Sequence, residues 1–408
     1  MSGTVNNAVN SGHAVLTLKP GREKSLARRH PWIFSGAIAR VDGNPAAGET
    51  VELRSSSGKP LALAAYSPAS QIRARVWSFD VATPIDASFF RSRIERALAF
   101  RARLPAARHA NALRLVHAES DGLPGVVVDR YADVLVVQLL SAGAERWRQE
   151  ILDALAAASG CAAIYERSDA EVRALEGLVP RTGFVFGNQA ARRCPIVEHG
   201  LAFHVDVEQG QKTGFFLDQR ENRQRVRALA AGREVLDGFC YTGGFALAAL
   251  AGGAKRVLAL ESSAPALEVA RENLAANPSL DPARLELVQA DVFAHLRALR
   301  DRATRFDLVV LDPPKFAPTA AQAKNAARAY KDINLLAFKL LAPGGLLATF
   351  SCSGGVPADL FQSIVAGAAV DAGVEAKIIE RFDAASDHPV ALEFPEGEYL
   401  KGLLLGRS

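Results

Sequence analysis

No run of this 408-residue chain reaches the eighteen or so consecutive apolar residues that a membrane-spanning helix needs, so no membrane contact is expected. Residues Met1 to Ser11 are small and polar and lack the apolar centre of a secretion signal; a cytoplasmic protein is expected. Cysteine is scarce and scattered. Cys161, Cys194, Cys240 and Cys352 form neither a C-x-x-C pair nor a regular framework, which argues against a disulfide scaffold and a zinc site and predicts free thiols and no bound metal. Long internal repeats and low-complexity tracts are also missing.

What is present is a chain of about half apolar residues (49%) with moderate charge (23%), the balance of a soluble globular protein, and its length predicts two or three domains. Net charge is only +4, but it is unevenly placed. Residues 1–110 carry 16 Lys and Arg against 7 Asp and Glu, and the remainder 32 against 37. A basic front end suggests a polyanionic partner met mainly there.

Residues 1–79 read as short strands and turns: Val15 to Leu18, Thr50 to Leu53, Leu61 to Tyr66 and Ile72 to Trp77, separated by Gly, Pro and Ser. Within them, Lys19 to Arg22 and Arg28 to Phe34 mix cations with aromatics, a composition suited to phosphate contact and base stacking, though Trp32 and Phe34 fit a small core equally well. Residues 80–195 begin with a helical, arginine-rich stretch from Ile85 to Leu104. Strands from Leu113, Gly125 and Val134, a helix near Ala144 to Ala157 and a strand from Ala162 to Glu166 make this a second, mixed α+β unit. Residues 196–408 open with a hairpin-like stretch. Strands Val235 to Asp237, Val257 to Glu261, Leu285 to Asp291, Leu308 to Asp312 and Leu346 to Phe350 then alternate with helices, the pattern of a doubly wound α/β sheet with ligands at the strand carboxyl ends.

The first of those strands leads into Asp237-Gly238-Phe239-Cys240-Tyr241-Thr242-Gly243-Gly244. Glycines there permit a tight turn and the following helix offers free N–H donors, but the loop is not G-x-G-x-x-G. Glu261, 24 residues later, stands where a carboxylate accepts from ribose hydroxyls; Asp291 and Asp312 end the third and fourth strands. Four strand-terminal acids predict an adenosine cofactor. Asp237 sits where a carboxylate attracts the amino group of a methionine moiety rather than a pyrophosphate, and no hydride-transfer constellation follows, which favours S-adenosylmethionine over NAD. The cofactor site is accordingly read as Asp237, Phe239, Tyr241, Thr242, Gly243, Gly244, Glu261, Asp291, Val292 and Asp312.

The fourth and fifth strands end in Asp312-Pro313-Pro314-Lys315-Phe316 and Ser351-Cys352-Ser353. An acid, a rigid turn and a thiol on one sheet edge suggest chemistry on a planar base. Carbon 5 of a pyrimidine is a weak nucleophile; a thiolate adding at carbon 6 makes carbon 5 enamine-like, and loss of the carbon 5 proton then lets the thiolate leave. Cys352 is the candidate attacker, Cys240 its competitor. Asp312 is the candidate base, with Asp387 and His388 as alternatives.

On the stretches Arg29 to Gly36, Tyr66 to Arg75, Glu119 to Gly125, Lys212 to Arg220, Tyr241 to Phe245, the Asp312 motif, Tyr330 to Asn334 and Ser351 to Ser353, nearly the whole chain resembles bacterial large-subunit rRNA cytosine-C5 methyltransferases of the class I S-adenosylmethionine type. The resemblance implies a PUA-like RNA-binding domain, a central strand-strand-helix-strand-strand (EEHEE) domain and a Rossmann-like methyltransferase domain. It implies a cytosine methylated at C5 in 23S rRNA, free or in an assembling large subunit, through a Cys352–C6 adduct; a homodimer is allowed for. RNA contacts are expected from Lys19, Arg22, Arg28, Arg29, Arg73, Arg75, Lys212, Arg220 and Lys315. Two departures stand out: Tyr241 occupies the position of a first glycine, and the Asp-Pro-Pro loop carries no second cysteine. The latter layout is similar to RNA uracil-C5 methyltransferases, so uracil stays open as the base, as does a noncatalytic rRNA-binding assembly factor.

Overall fold

The computed structural model of the protein describes residues 12–187, 192–316 and 323–408; the Met1 to Ser11 stretch lies outside them. The first unit contains β1 (Val15–Leu18), α1 (Lys24–Ala27), β2 (Trp32–Phe34), β3 (Ile38–Asp42), β4 (Thr50–Arg54), β5 (Pro60–Tyr66) and β6 (Ile72–Ser78), in one sheet ordered β2-β6-β5-β4-β1-β3. Leu16, Leu18, Val51, Leu53 and Ile33 fill its core. Strands β2 and β3 were not legible as strands. Trp32 and Phe34 lie on β2, and their roles differ. The Trp32 indole N–H donates to Glu119 (2.8 Å) and its ring meets Phe394 edge-on at 4.8 Å, whereas Phe34 is half exposed.

In the second unit, α2 (Ala87–Ala102) starts at Asp86, whose carboxylate accepts from the Phe89 N–H (3.0 Å) and so satisfies an otherwise orphaned donor. There follow β7 (Ala112–His117), β8 (Val126–Tyr131), β9 (Val134–Leu139), α3 (Ala142–Arg146), α4 (Arg148–Ser159), β10 (Ala163–Ser168), α5 (Val172–Leu175) and β11 (Arg181–Gly187), with sheet order β11-β10-β9-β8-β7. The β8-β9-α4-β10-β11 portion carries the strand-strand-helix-strand-strand pattern, and β7 extends it at one edge. The helix expected near Ala144 is two, broken where Trp147 leaves helical geometry (ψ 21°).

Next comes a hairpin, β12 (Arg193–Glu198) and β13 (Leu201–Asp206). Its two-residue turn, His199-Gly200, has positive φ at both positions (49° and 80°), the geometry whose twist matches the paired strands. Residue 195, at which the sequence divides the middle and last units, falls inside β12. The hairpin packs with Tyr131 and Val136 of the middle sheet and with Leu247 and Ala248 of the last unit, so it belongs to the joint between them.

The last unit runs α6 (Arg220–Leu229), β14 (Glu234–Gly238), α7 (Gly244–Ala251), β15 (Arg256–Glu261), α8 (Ala264–Ala275), β16 (Leu285–Gln289), α9 (Val292–Asp301), β17 (Phe306–Leu311), α10 (Ala323–Leu340), β18 (Leu341–Ser351), α11 (Ala358–Ala372), β19 (Ala376–Phe382) and β20 (Lys401–Arg407). Sheet order is β16-β15-β14-β17-β18-β20-β19, parallel except for β20, which is antiparallel to both neighbours. The first five strands thus follow the doubly wound order 3-2-1-4-5, and the order reverses between β14 and β17. Apolar runs such as Leu308 to Leu311 are buried, as strands covered on both faces require. The carboxyl ends of β14, β15, β17 and β18 therefore open on one edge, at the switch point.

Hydrogen bonds to the groups of buried ion pairs join the middle unit to the last. Arg220, fully buried, donates to Asp387 (3.0 Å), which also accepts the backbone N–H of Arg114 (2.8 Å). Arg114 in turn holds Asp129 through two bonds (2.5 and 2.9 Å). Charges so buried persist only because each has a partner.

Candidate active site

The switch-point edge encloses a cleft of about 670 Å³. Strand β14 delivers Asp237 beneath it. This side chain is fully buried, and neither carboxylate oxygen has a close hydrogen-bond partner. Burial, with Asp312 and Glu261 nearby, holds it well above the ordinary carboxylate range, only partly offset by the Ala246 amide at the head of α7. An orphaned carboxyl group at this depth is a receptor for a donor or a cation, and it fits the ammonium group of S-adenosylmethionine. The loop above it doubles back sharply: Phe239, Tyr241 and Gly243 all have positive φ (67°, 49° and 82°). Tyr241 tolerates this because its N–H donates to Glu261 (3.1 Å) while its hydroxyl accepts from the Gln211 N–H (2.8 Å). A tyrosine in the first-glycine position is thus tied down from two sides.

Glu261, at the end of β15, is fixed by the N–H groups of Ser262 and Ser263 (2.8 and 2.9 Å) and borders the cleft. Asp291 corrects the sequence reading: β16 stops at Gln289, and Asp291 caps α9 instead, accepting from the Ala294 N–H (2.8 Å). It still lines the cleft. Beside it Val292, Phe293 and Phe239 form an apolar wall, with the two phenyl rings 6.1 Å apart, a surface suited to a flat purine. Phe239, Tyr241, Thr242 and Gly244 line the cleft too, while Gly243 shapes the turn.

One consequence concerns stability. A carboxyl group whose folded-state pKa is raised destabilises the folded protein once pH exceeds its unfolded value near 4. Asp237→Asn is therefore expected to raise the melting temperature of the cofactor-free protein at pH 7 while weakening S-adenosylmethionine binding by tenfold or more, on the order of a lost charged hydrogen bond. Paired thermal-shift and calorimetric titrations measure both; a variant that is less stable and binds normally would remove Asp237 from the cofactor site.

The other half of the cleft gathers Asp312, Pro313, Pro314 and Lys315 from the end of β17 and Cys352 from the end of β18. The chain between Gln211 and Gln219 faces them. Its Lys212, at positive φ (54°), donates to buried Asp218 (2.7 Å), which also accepts from the Tyr399 hydroxyl (2.6 Å). Burial alone would raise Asp218, yet the Lys212 ammonium and these hydrogen bonds hold it below the usual range. Asp312 has the opposite fate: burial and the Asp218 charge push it up to about 7. Cys352 is raised by burial and by Asp312, against which Lys212 and Lys315 pull its thiol down. Cys240 is more deeply buried, and burial with Asp237 and Glu261 drives it well above the thiol range. Of the two thiols on the cleft, only Cys352 has cations working in its favour.

The neighbours of Cys352 are immobilised. The Ser351 hydroxyl donates to Tyr330 (2.9 Å), Tyr330 bonds Ser353 (2.9 Å), and Lys401 donates to the carbonyls of Ser353 (2.9 Å) and Val356 (2.7 Å). Tyr330 and Asp218 lie in stretches that the sequence singled out, but without these roles; Tyr399 and Lys401 gave no signal, since they act across long separations. Asp387 and His388 are not on the cleft: Asp387 is spent on Arg220, Arg114 and His388 (2.9 Å).

The expected RNA-contacting cations divide. Lys19, Arg22, Arg28 and Arg29 are exposed on the first unit, Arg73 is half-buried, and Lys315 is exposed at the cleft. Arg75 and Arg220 are corrected: both are buried, Arg75 against Glu176 (2.7 Å) and Arg220 against Asp387, so neither presents a face to a polyanion. Lys212 lines the cleft with its ammonium on Asp218, and 34% of its side chain is exposed. Among the described residues no group of three or more His, Cys, Asp and Glu could hold a metal, and no helix is long and apolar enough to cross a membrane.

Residues 180–403 fit the model of S-adenosylmethionine-dependent methyltransferases, and residues 16–79 that of PUA-like domains. The chain is 50% identical over 387 residues to ribosomal RNA large subunit methyltransferase I of Shigella dysenteriae (95% of this chain, 97% of that one). It is 52% identical over 389 residues to the protein of that name from Shewanella amazonensis (95% and 98%). In fold it is similar to an S-adenosylmethionine-dependent methyltransferase from Streptococcus mutans (TM-score 0.83, 22% identity, 96% and 99% covered) and to a methyltransferase solved with S-adenosylhomocysteine (TM-score 0.83, 23% identity, 96% and 99% covered). The chain belongs to the ribosomal RNA large subunit methyltransferase I family, S-adenosylmethionine-dependent methyltransferases with a PUA-like domain.

Proposed function

We propose that this protein methylates carbon 5 of a specific cytosine in large-subunit (23S) rRNA through a transient bond between Cys352 and carbon 6. One observation carries the reading: Cys352, Asp312 and Lys212 open onto the same cleft as the cofactor-side Asp237 loop and Glu261. The cofactor supplies an electrophilic methyl group when bound. The Cys352 thiolate, favoured by Lys212 and Lys315, adds to carbon 6; carbon 5 gains enamine character and takes the methyl; Asp312 removes the carbon 5 proton, and the electron pair expels the thiolate. A carboxyl group near 7 is matched to proton transfer at neutral pH. Asp237, Glu261 and the wall of Phe239, Val292 and Phe293 hold the donor, and the Pro313-Pro314 turn stiffens the edge on which the base lies. The cleft has room for a base only if it leaves its stack, which favours a loop or incompletely assembled RNA. The relatives' activity on large-subunit rRNA supports the substrate, and the motif resemblance supports the cytosine.

Incubation with labelled S-adenosylmethionine and unmodified 23S rRNA, followed by nucleoside mass spectrometry, tests this directly. The expected product is 5-methylcytidine. 5-Methyluridine would replace the base, and absence of any methylated nucleoside would favour a binding factor.

A further inference from the structure

A second cleft, about 580 Å³, lies where all three units meet. The first unit contributes Arg29 and Phe79, the middle unit Arg93, Arg96 and Phe100 from α2, and the last unit the segment from Pro389 to Phe394. On α2, positions 93, 96, 97 and 100 follow the helical repeat and share one face. The joint is held shut behind them: His30 pairs with Glu396 (3.1 Å) and Trp32 packs on Phe394.

The charges in this cleft are not balanced from within. Four carboxylates border it, but Asp121 is held by Arg101 through two bonds (2.6 and 2.8 Å), and Glu119 by the Trp32 indole and by Arg75 (3.7 Å). Asp80 and Glu393 remain against Arg29, Arg93 and Arg96. Arg93 is half-buried beside Arg96; burial and that like charge both disfavour its cation, and its nearest polar partner is the Trp77 carbonyl at 3.4 Å. Two adjacent guanidinium groups without an ion-pair partner among the described residues leave room for an anion. Phe100, 46% exposed, offers a ring face at the rim, and Arg29 lies over the Phe79 ring at 5.8 Å.

The cleft is also linked to the candidate active site by a short stretch of chain. Phe394 borders the first and Tyr399 the second, five residues apart, which is at most about 18 Å of chain. We propose that the three-unit cleft binds the single-stranded RNA segment flanking the target base, with Arg93 and Arg96 on its phosphate and Phe100 against a neighbouring base. Cations along a strand with an aromatic stacking face are the general chemistry of single-strand recognition. This assignment rests on the rRNA reading above.

The test compares Arg93→Gln/Arg96→Gln, the single variant Arg96→Gln, and Arg91→Gln, an exposed arginine on α2 outside the cleft. Methyl-transfer kinetics and fluorescence anisotropy with an rRNA fragment containing the target are read across a salt series. For the double variant, KM for RNA is expected to rise about tenfold with little change in kcat. The slope of log affinity against log salt should fall by roughly 0.7 for each phosphate contact removed. Arg96→Gln should show a smaller change of the same kind and Arg91→Gln none. Unchanged KM and salt slope in a double variant that melts like the wild type would overturn the assignment. Should the double variant misfold, an Arg96→Gln protein identical to wild type would do the same. RNA binding that depends on Arg93 and Arg96 in a protein that methylates no RNA would retain the cleft and sink the proposed reaction instead.

Discussion

Replacing Cys352 with alanine is expected to abolish methyl transfer, by at least ~10³-fold, while S-adenosylmethionine still binds with its normal affinity. Removing the nucleophile of a covalent mechanism elsewhere costs about 10⁶ in turnover. Without the thiolate, carbon 5 keeps its poor nucleophilicity, and no other thiol among the described residues of the cleft can activate it: Cys240 is buried among carboxylates that oppose its ionisation. Cofactor binding should survive because Asp237, Glu261 and the apolar wall lie on other elements. The direct measurement is a gel shift with RNA carrying 5-fluorocytosine at the target. That base takes the methyl but has no carbon 5 proton to lose, so the wild type should stay joined to the RNA and Cys352→Ala should not. Normal turnover by Cys352→Ala would refute the adduct.

In the proposed mechanism a single thiol would have to serve, and the setting of Cys352 suits it to that. A nucleophile that must both add and leave has to return to the same position each cycle. Ser351 and Ser353, on either side, are pinned by the Tyr330 hydroxyl, and the chain beyond them by Lys401. The ammonium of Lys212 is held in turn by Asp218, and Asp218 by Tyr399. Both supports come from residues outside the Ser-Cys-Ser motif.

That division marks how far the sequence could be read. Short-range patterns were visible: the alternation of strands and helices placed β14 to β18, and Glu261, Asp291 and Asp312 border one cleft. Residues whose function depends on distant partners were not visible. Arg220 looks like a surface cation in sequence, yet meets Asp387 167 positions away; Tyr399 meets Asp218 across 181. Periodicity carries no information on such pairs. Strand β2 was hidden for a related reason: Trp32 and Phe34 fit either a core or a stacking face, and Trp32 is committed to the two other units through Glu119 and Phe394. Asp291 looked like a strand end because the strand and the helix cap are only two residues apart.

Asp312→Asn is expected to uncouple the two halves of the reaction. Addition of Cys352 and methylation of carbon 5 need no proton removed by this side chain, but elimination does. Turnover should fall by about 10²–10⁴, the usual contribution of a positioned general base, and a methylated Cys352–RNA adduct should accumulate that wild type does not hold. The pH dependence gives an independent check. Burial and Asp218 raise Asp312 to about 7, so its active carboxylate form is lost as pH falls through that value, and the wild-type rate should drop below pH 7. A second rise is expected at higher pH, because burial and the carboxylates place the Cys352 thiol above its ordinary value despite Lys212. In Asp312→Asn the lower step should vanish and the upper one remain. Should the lower step persist in the variant, or the adduct fail to accumulate, the proton acceptor is another group on the cleft, and Asp218, which also lines it, is the next to substitute.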